Sequence, residues 1–191
     1  MVANIRPSLM SLDVAFDVVT SVAAEIEQWA ETYFENKECN EYYTFRGMLG
    51  VSLRDSHYDV TIACAELHSM QYPVDDALAQ ILRGARTRRE SFHTQRVHEW
   101  VMANKIRLPT TAKEGAIVTF KIATAELSGT IKARIAREAR LIVEMGNGAN
   151  ISVPSEDIVS VKPAPKKGKS TPPTGPNNGG TPVAARQAKV A

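Results

Sequence analysis

At Gly115 the hydrophobic pattern of the chain changes period, and this change governs what it can fold into. Before it, apolar residues recur at helical spacing. Val18, Val22, Ile26, Trp29 and Tyr33 lie four, four, three and four residues apart, along one face of an amphipathic helix. After it come short runs rich in β-branched residues: AIVTFKI, RLIVEM, NISVP and IVSVK. Asn147-Gly148 stands between two of them as a hairpin signal, since both central residues of a type I′ turn need positive φ. The chain is therefore expected to be α+β, with a helical N-terminal domain over 8–108, a small β-domain over 114–162 and a disordered basic tail over 163–191.

Within the helical part, Ser11 is the expected N-cap of a first helix that runs to about Asn36, with Asp13 in its first turn beside the positive end of the dipole. NKECNEYYTFRGMLGVSLRDS, with three aromatics and two glycines, reads as a loop or short extended stretch. A second helix is expected from His57 to Met70, closed by Pro73. Asp75 and Asp76 open a third, which runs to about Ile106 with a bend or break at Gly84. Residues 130–145, TIKARIAREARLIVEM, satisfy two patterns at once. Ile131, Ala133 and Ile135 alternate as in a strand, while Ile131, Ile135, Ile142 and Met145 share one helical face.

The pieces GAIVTFKI, LSGTIKARI, RLIVEM, ANISVP and SEDIVSVK follow one another as do the strands of a Src-homology-type small barrel of the KOW and Tudor kind. The resemblance covers residues 115–162, rests on strand spacing and turn placement, and favours strands over 130–145. It implies that 114–162 is a small five-stranded β-barrel, with a single 3₁₀ turn, PSED, before the last strand. Its departure is the helix-favouring REAR connection. No family resemblance is identified for residues 1–110.

Charge is segregated along the chain. Residues 1–79 hold 4 basic and 13 acidic side chains, whereas residues 80–109 hold 7 basic and 2 acidic. The tail over 163–191, PAPKKGKSTPPTGPNNGGTPVAARQAKVA, carries 5 basic residues and no acidic one. Its composition cannot bury enough apolar surface to offset chain entropy. Two readings of the asymmetry compete. Either the basic parts contact a polyanion, or the acidic first part faces the basic helix across the fold.

The densest basic segment, RGARTRRESFHTQR, holds Arg83, Arg86, Arg88, Arg89 and Arg96, with Lys105 and Arg107 beyond. Arg suits phosphate by its charge and its planar donor fork. Arg83, Arg86, Arg89 and Arg96 fall near one helical face, as a stripe able to track a phosphate backbone. Lys132, Arg134, Arg137 and Arg140 make a second cluster in the expected barrel. Few aromatic residues accompany them, so recognition of DNA or RNA is expected to be backbone-led and weakly sequence-specific.

Signals for catalysis are weak. His57, His68, His93 and His98 form no HExxH, and Cys39 and Cys64 form no CxxC. No GxSxG or Walker A sequence occurs, and GNG in MGNGAN reads as a hairpin rather than a phosphate loop. The expectation is a non-enzymatic protein without metal or cofactor. No run of 18 uncharged apolar residues exists and the N-terminus lacks an export pattern, so a cytoplasmic location off the membrane with reduced thiols is expected. The leading reading is an accessory or regulatory protein that binds nucleic acid or a nucleic-acid-processing complex. The alternative is an assembly protein that oligomerises through its helices and binds a protein partner through the barrel.

Overall fold

The structure, a computed structural model, describes residues 5–34 and 39–164. Among the described residues, six helices precede a five-stranded antiparallel sheet, an α+β arrangement in the order expected. The expected tail over 163–191 lies almost wholly outside the described residues.

The expected first helix is two: α1 (Leu12–Thr20) and α2 (Ala23–Ala30). Ser11 caps α1, its hydroxyl accepting from the Val14 N–H. The break has a local cause. The Ser21 hydroxyl donates to the Val18 carbonyl at 2.7 Å, and Val22 leaves helical geometry at φ −126. Val18, Val22, Ile26 and Trp29 are buried as the stripe requires, but Tyr33 is 44% exposed.

The stretch expected as loop is α3 (Asn40–Asp55), capped at its start by the Cys39 thiol. Tyr42, Phe45, Leu49 and Leu53 recur at helical spacing and are all buried. Packing of this face overrode the poor helix preference of Gly and aromatic residues. Gly50 permits a close crossing with α1, because a Cβ there would lie 2.5 Å from the Phe16 ring. The second expected helix is α4 (Val60–Ser69), with Asp59 as its N-cap.

Asp75 opens α5 (Asp76–Arg86) by accepting from the Leu78 N–H, as the sequence indicates. The following helix, α6 (Arg89–Ala103), is separate. The break falls at Thr87–Arg88 rather than at Gly84, where the Thr87 hydroxyl donates back to the Gly84 carbonyl at 2.7 Å. Ser21 and Thr87 thus break their helices by the same device.

The sheet comprises β1 (Ile117–Ile122), β2 (Ala125–Ile135), β3 (Arg140–Glu144), β4 (Asn150–Pro154) and β5 (Ile158–Lys162), in the order β4-β3-β2-β1-β5. It is not closed into a barrel: β4 and β5 are its two edges, joined by the expected 3₁₀ turn at Ser155–Asp157. Residues 130–145 form a hairpin, as the strand pattern indicates. Its connection is a 3₁₀ turn over Ala136–Glu138 followed by Ala139 in the left-handed region at φ 47. The long β2 pairs with β1 through Ala125–Thr130 and with β3 through Thr130–Ile135. At the changeover a Cβ on Gly129 would lie 2.5 Å from Val143 Cγ1 and 2.6 Å from the Glu144 carbonyl oxygen, so only glycine permits the approach.

The turn at Asn147-Gly148 differs in type from the expectation. Only Gly148 has positive φ, at 81, and its N–H donates to the Met145 carbonyl. Gly146 and Asn147 are therefore the centre of a turn that ends in a left-handed glycine. The Asn147 Oδ1 accepts from the Ala149 N–H, which fixes the loop.

Two cores result. One is helical, with Trp29, Tyr42, Phe45 and Leu82 among its members. The other fills the inner face of the sheet with Val118, Phe120, Ile131, Leu141 and Val143, joined from the connecting segment by Leu108 and Ala112. A third small cluster joins them, with Ala139 of the sheet hairpin packed among Val97, Trp100 and Val101 of α6.

Candidate nucleic-acid interface

The helix break at Thr87 decides how the arginines are displayed. Arg83 and Arg86 leave the last turns of α5, Arg88 stands in the break, and Arg89 begins α6. Arg83, Arg86 and Arg88 are exposed and Arg89 is half-buried. Arg86 Nη1 donates to the Tyr58 carbonyl at 3.4 Å, and the Arg89 guanidinium lies over the Tyr58 ring at 5.3 Å. None of these four forms an ion pair with a described residue.

Arg88 does other work. Its Nη1 donates at 3.0 Å to the Ser21 carbonyl, at the α1–α2 break. The two breaks therefore meet, and the side chain from one satisfies a carbonyl set free by the other. Arg96 is held by Asp17 through two bonds of 2.7 Å, a bidentate pair between α6 and α1. This pair holds the Arg96 guanidinium above its ordinary range, chiefly through the Asp17 hydrogen bond and against partial burial. Among the described residues it is the ion pair that joins the acidic N-terminal half to the basic helices, so facing charge accounts for Arg96 alone of the five.

The second cluster is dispersed. Lys132, the extra residue of a bulge in β2, pairs with Glu144 at 2.7 Å. Arg140 is half-buried and reaches the Ser152 hydroxyl at 3.4 Å. Arg134 and Arg137 are exposed. The Arg137 carbonyl meets His98 Nδ1 at 3.0 Å, which places this turn nine residues along α6 from Arg89. That is about 14 Å along the axis and roughly half a turn around it. Arg89 and the Arg137 turn therefore meet opposite faces of α6, and no single helical stripe runs through both.

Sequence reasoning passed over Arg6. Its guanidinium pairs with Glu156, donates to the carbonyls of Glu138 and Ala139, and lies 5.2 Å from the centroid of the Trp100 ring. The N-terminal segment, α6 and two turns of the sheet meet at this one side chain. Partial burial pushes the Glu156 carboxyl up, but the Arg6 contacts and the hydrogen bonds from the Glu156 backbone and Ser155 outweigh it and leave the group below its ordinary range. A lone Arg six residues from the start offers no periodicity that reveals such a role.

The remaining candidates are scattered. His93 Nε2 meets the Pro7 carbonyl at 3.1 Å, and His57 Nδ1 meets that of Asp55 at 3.1 Å. Both cysteines are free, and burial pushes the Cys64 thiol up although Arg83 pulls the other way. Among the described residues no three His, Cys, Asp or Glu side chains gather as a metal site, and no helix is long and apolar enough to cross a membrane. No protein-family model matches the chain, and neither the curated proteins nor the solved structures contain a match to it.

Proposed function

We propose that the protein is a non-enzymatic accessory factor that binds nucleic acid through its phosphate backbone, with Arg83, Arg86 and Arg89 as the leading contacts. The observation that carries this reading is the display of these guanidiniums at the α5–α6 break without a carboxylate partner among the described residues, in a chain whose first 79 residues hold 13 acidic side chains. A guanidinium left unpaired keeps its donor fork for phosphate oxygens. Arg134 and Arg137 supply a second, separate contact. Arg96 and Lys132 are already paired with Asp17 and Glu144 and contribute less. Arg140, half-buried against Ser152, also contributes less. Contact of this kind reads charge and spacing and carries little sequence preference.

The test is a salt titration of binding to short single- and double-stranded DNA and RNA. A variant with Arg83, Arg86 and Arg89 changed to Gln is compared with the unaltered chain. Each lost phosphate contact lowers the log–log salt slope by about 0.9 on duplex DNA, so the variant is expected to lose roughly 2–3. An unchanged slope removes α5–α6 from the interface. Absence of binding by the unaltered chain overturns the reading and turns the search to a protein partner.

A further inference from the structure

The same helix break walls a cleft of about 480 Å³, closed on its other side by the α3–α4 connection. That connection is unusual. His57 and Tyr58 are consecutive non-glycine residues in the left-handed region, at φ 56 and 62. Such residues each cost of order 1–2 kcal/mol and persist where surrounding structure holds them. Here the Tyr58 N–H donates to the Leu53 carbonyl at 2.7 Å, the Tyr58 ring is buried, and Arg86 and Arg89 both lie against this residue. The strained corner thus turns two guanidiniums from different helices toward one concavity.

Four charged side chains line it: Arg86 and Arg89, with Asp59 and Glu90. Asp59 Oδ1 accepts from the Thr61 and Ile62 N–H groups at the start of α4, which leaves Oδ2 without a donor among the described residues. Arg86 spends one long bond on Tyr58 and Arg89 none on a carboxylate, so most of their N–H groups remain available. Two guanidiniums suit a single phosphate group. Two carboxylates in the same space repel a second phosphate yet accept hydrogen bonds from hydroxyl groups.

We propose that this cleft binds a phosphomonoester of a hydroxyl-rich molecule, with the phosphate on Arg86 and Arg89 and the hydroxyls toward Asp59 and Glu90. A volume near 480 Å³ falls in the range of small-molecule sites. This site goes beyond the polyanion reading, which concerns a strand passing over the exposed α5–α6 face, and it is tested separately from that reading.

The test follows backbone amide shifts of residues 57–61 and 86–90 by NMR in the full chain. Inorganic phosphate and glycerol 3-phosphate are titrated at constant ionic strength. Saturable shifts confined to these segments are expected, with glycerol 3-phosphate binding more tightly. Arg86→Lys with Arg89→Lys keeps the charge but loses the fork, and is expected to weaken binding about tenfold. Glu90→Gln, at an exposed position, is expected to tighten inorganic phosphate and to reduce the preference for glycerol 3-phosphate. Absence of a saturable shift, or the same affinity in the Lys double variant and Glu90→Gln, overturns the site. So does equal affinity for the two probes. A 5′-phosphorylated oligonucleotide compared with its 5′-hydroxyl form separates the sources: preference for the former assigns the phosphate to a strand end, and indifference assigns it to a free metabolite. Loss of the phosphate shifts with an intact salt slope on DNA or RNA sinks the cleft alone.

Discussion

Asp75 is the place where the α5 scaffold, and so the arginines at its far end, is most open to a single change. Its Oδ1 accepts from the Leu78 N–H at 2.8 Å and from the Trp29 indole N–H at 2.8 Å, and its Oδ2 accepts from the Tyr33 hydroxyl at 2.7 Å. One carboxylate therefore caps α5 and ties it to α2. Asp75→Ala removes the cap, worth about 1 kcal/mol, and leaves the indole donor of the buried Trp29 without its acceptor, worth about 1–2 kcal/mol more. A loss of about 2–3 kcal/mol is expected, or roughly 4–12 °C in Tm for a chain of this size. Urea unfolding followed by circular dichroism reads it directly. Asp75→Asn keeps one acceptor oxygen for Leu78 and Trp29 and is expected to cost less than half as much. Partial burial pushes the Asp75 carboxyl up, but its hydrogen bonds from Leu78, Tyr33, Trp29 and Ala77 outweigh this and hold it below the ordinary range. A group with a depressed folded pKa adds stability above its unfolded value, near pH 4 for Asp, and that stability is lost as pH falls through the folded value. Asp75→Asn is thus expected to flatten the stability profile below about pH 4. An Asp75→Ala midpoint equal to that of the unaltered chain would refute the cap-and-tie account.

Two further outcomes test the sheet and its junction with the helices. Gly129→Ala forces apart β2 and β3 and is expected to cost about 1–3 kcal/mol, whereas Gly146→Ala, with nothing within 4 Å of the added Cβ, is expected to stay within about 0.5 kcal/mol in the same urea assay. Arg6→Met strips Glu156 and two carbonyls of their shared donor and is expected to cost about 1–3 kcal/mol, with faster hydrogen exchange at the Ala136–Ala139 turn; unchanged exchange there would show that Arg6 does not hold the junction.

Elements whose side chains decide their own geometry were legible in the sequence. Ser11 and Asp75 cap helices because their oxygens reach N–H groups three residues on, a relation that sequence displays. The 3₁₀ turn over Ser155–Asp157 was legible as the short polar PSED between two β-branched runs, and the succession of five strands was legible in those runs themselves. Elements decided by partners were not. The α3 segment looks like a loop until Tyr42, Phe45 and Leu49 meet the rest of the core. The breaks at Ser21 and Thr87 depend on a hydroxyl choosing a carbonyl of its own helix, which competes with solvent and leaves no mark on periodicity. Closure of the sheet depends on how far β4 and β5 curve toward each other, and strand spacing does not encode this. At the candidate interface the sequence supplied the density of arginine but not its division. Asp17, 79 residues from Arg96, decides that one arginine is paired, and Ser21 decides what Arg88 touches.

That division bears on how such a face can evolve a binding role. A stripe of identical cations invites equal weight for each, yet the five arginines here stand in four different settings. Arg96 and Arg88 hold α1 against α6 and join the two helix breaks, so their loss is felt first as stability. Arg83 makes no hydrogen bond or ion pair with a described residue, and its loss is expected to leave the fold nearly untouched. Arg86 and Arg89 stand between these cases, since each leans on Tyr58 with part of its guanidinium and faces the cleft with the rest. Substitutions that keep the lean but change the face, such as Arg to Lys, therefore separate folding from binding where truncation to Ala would confound them.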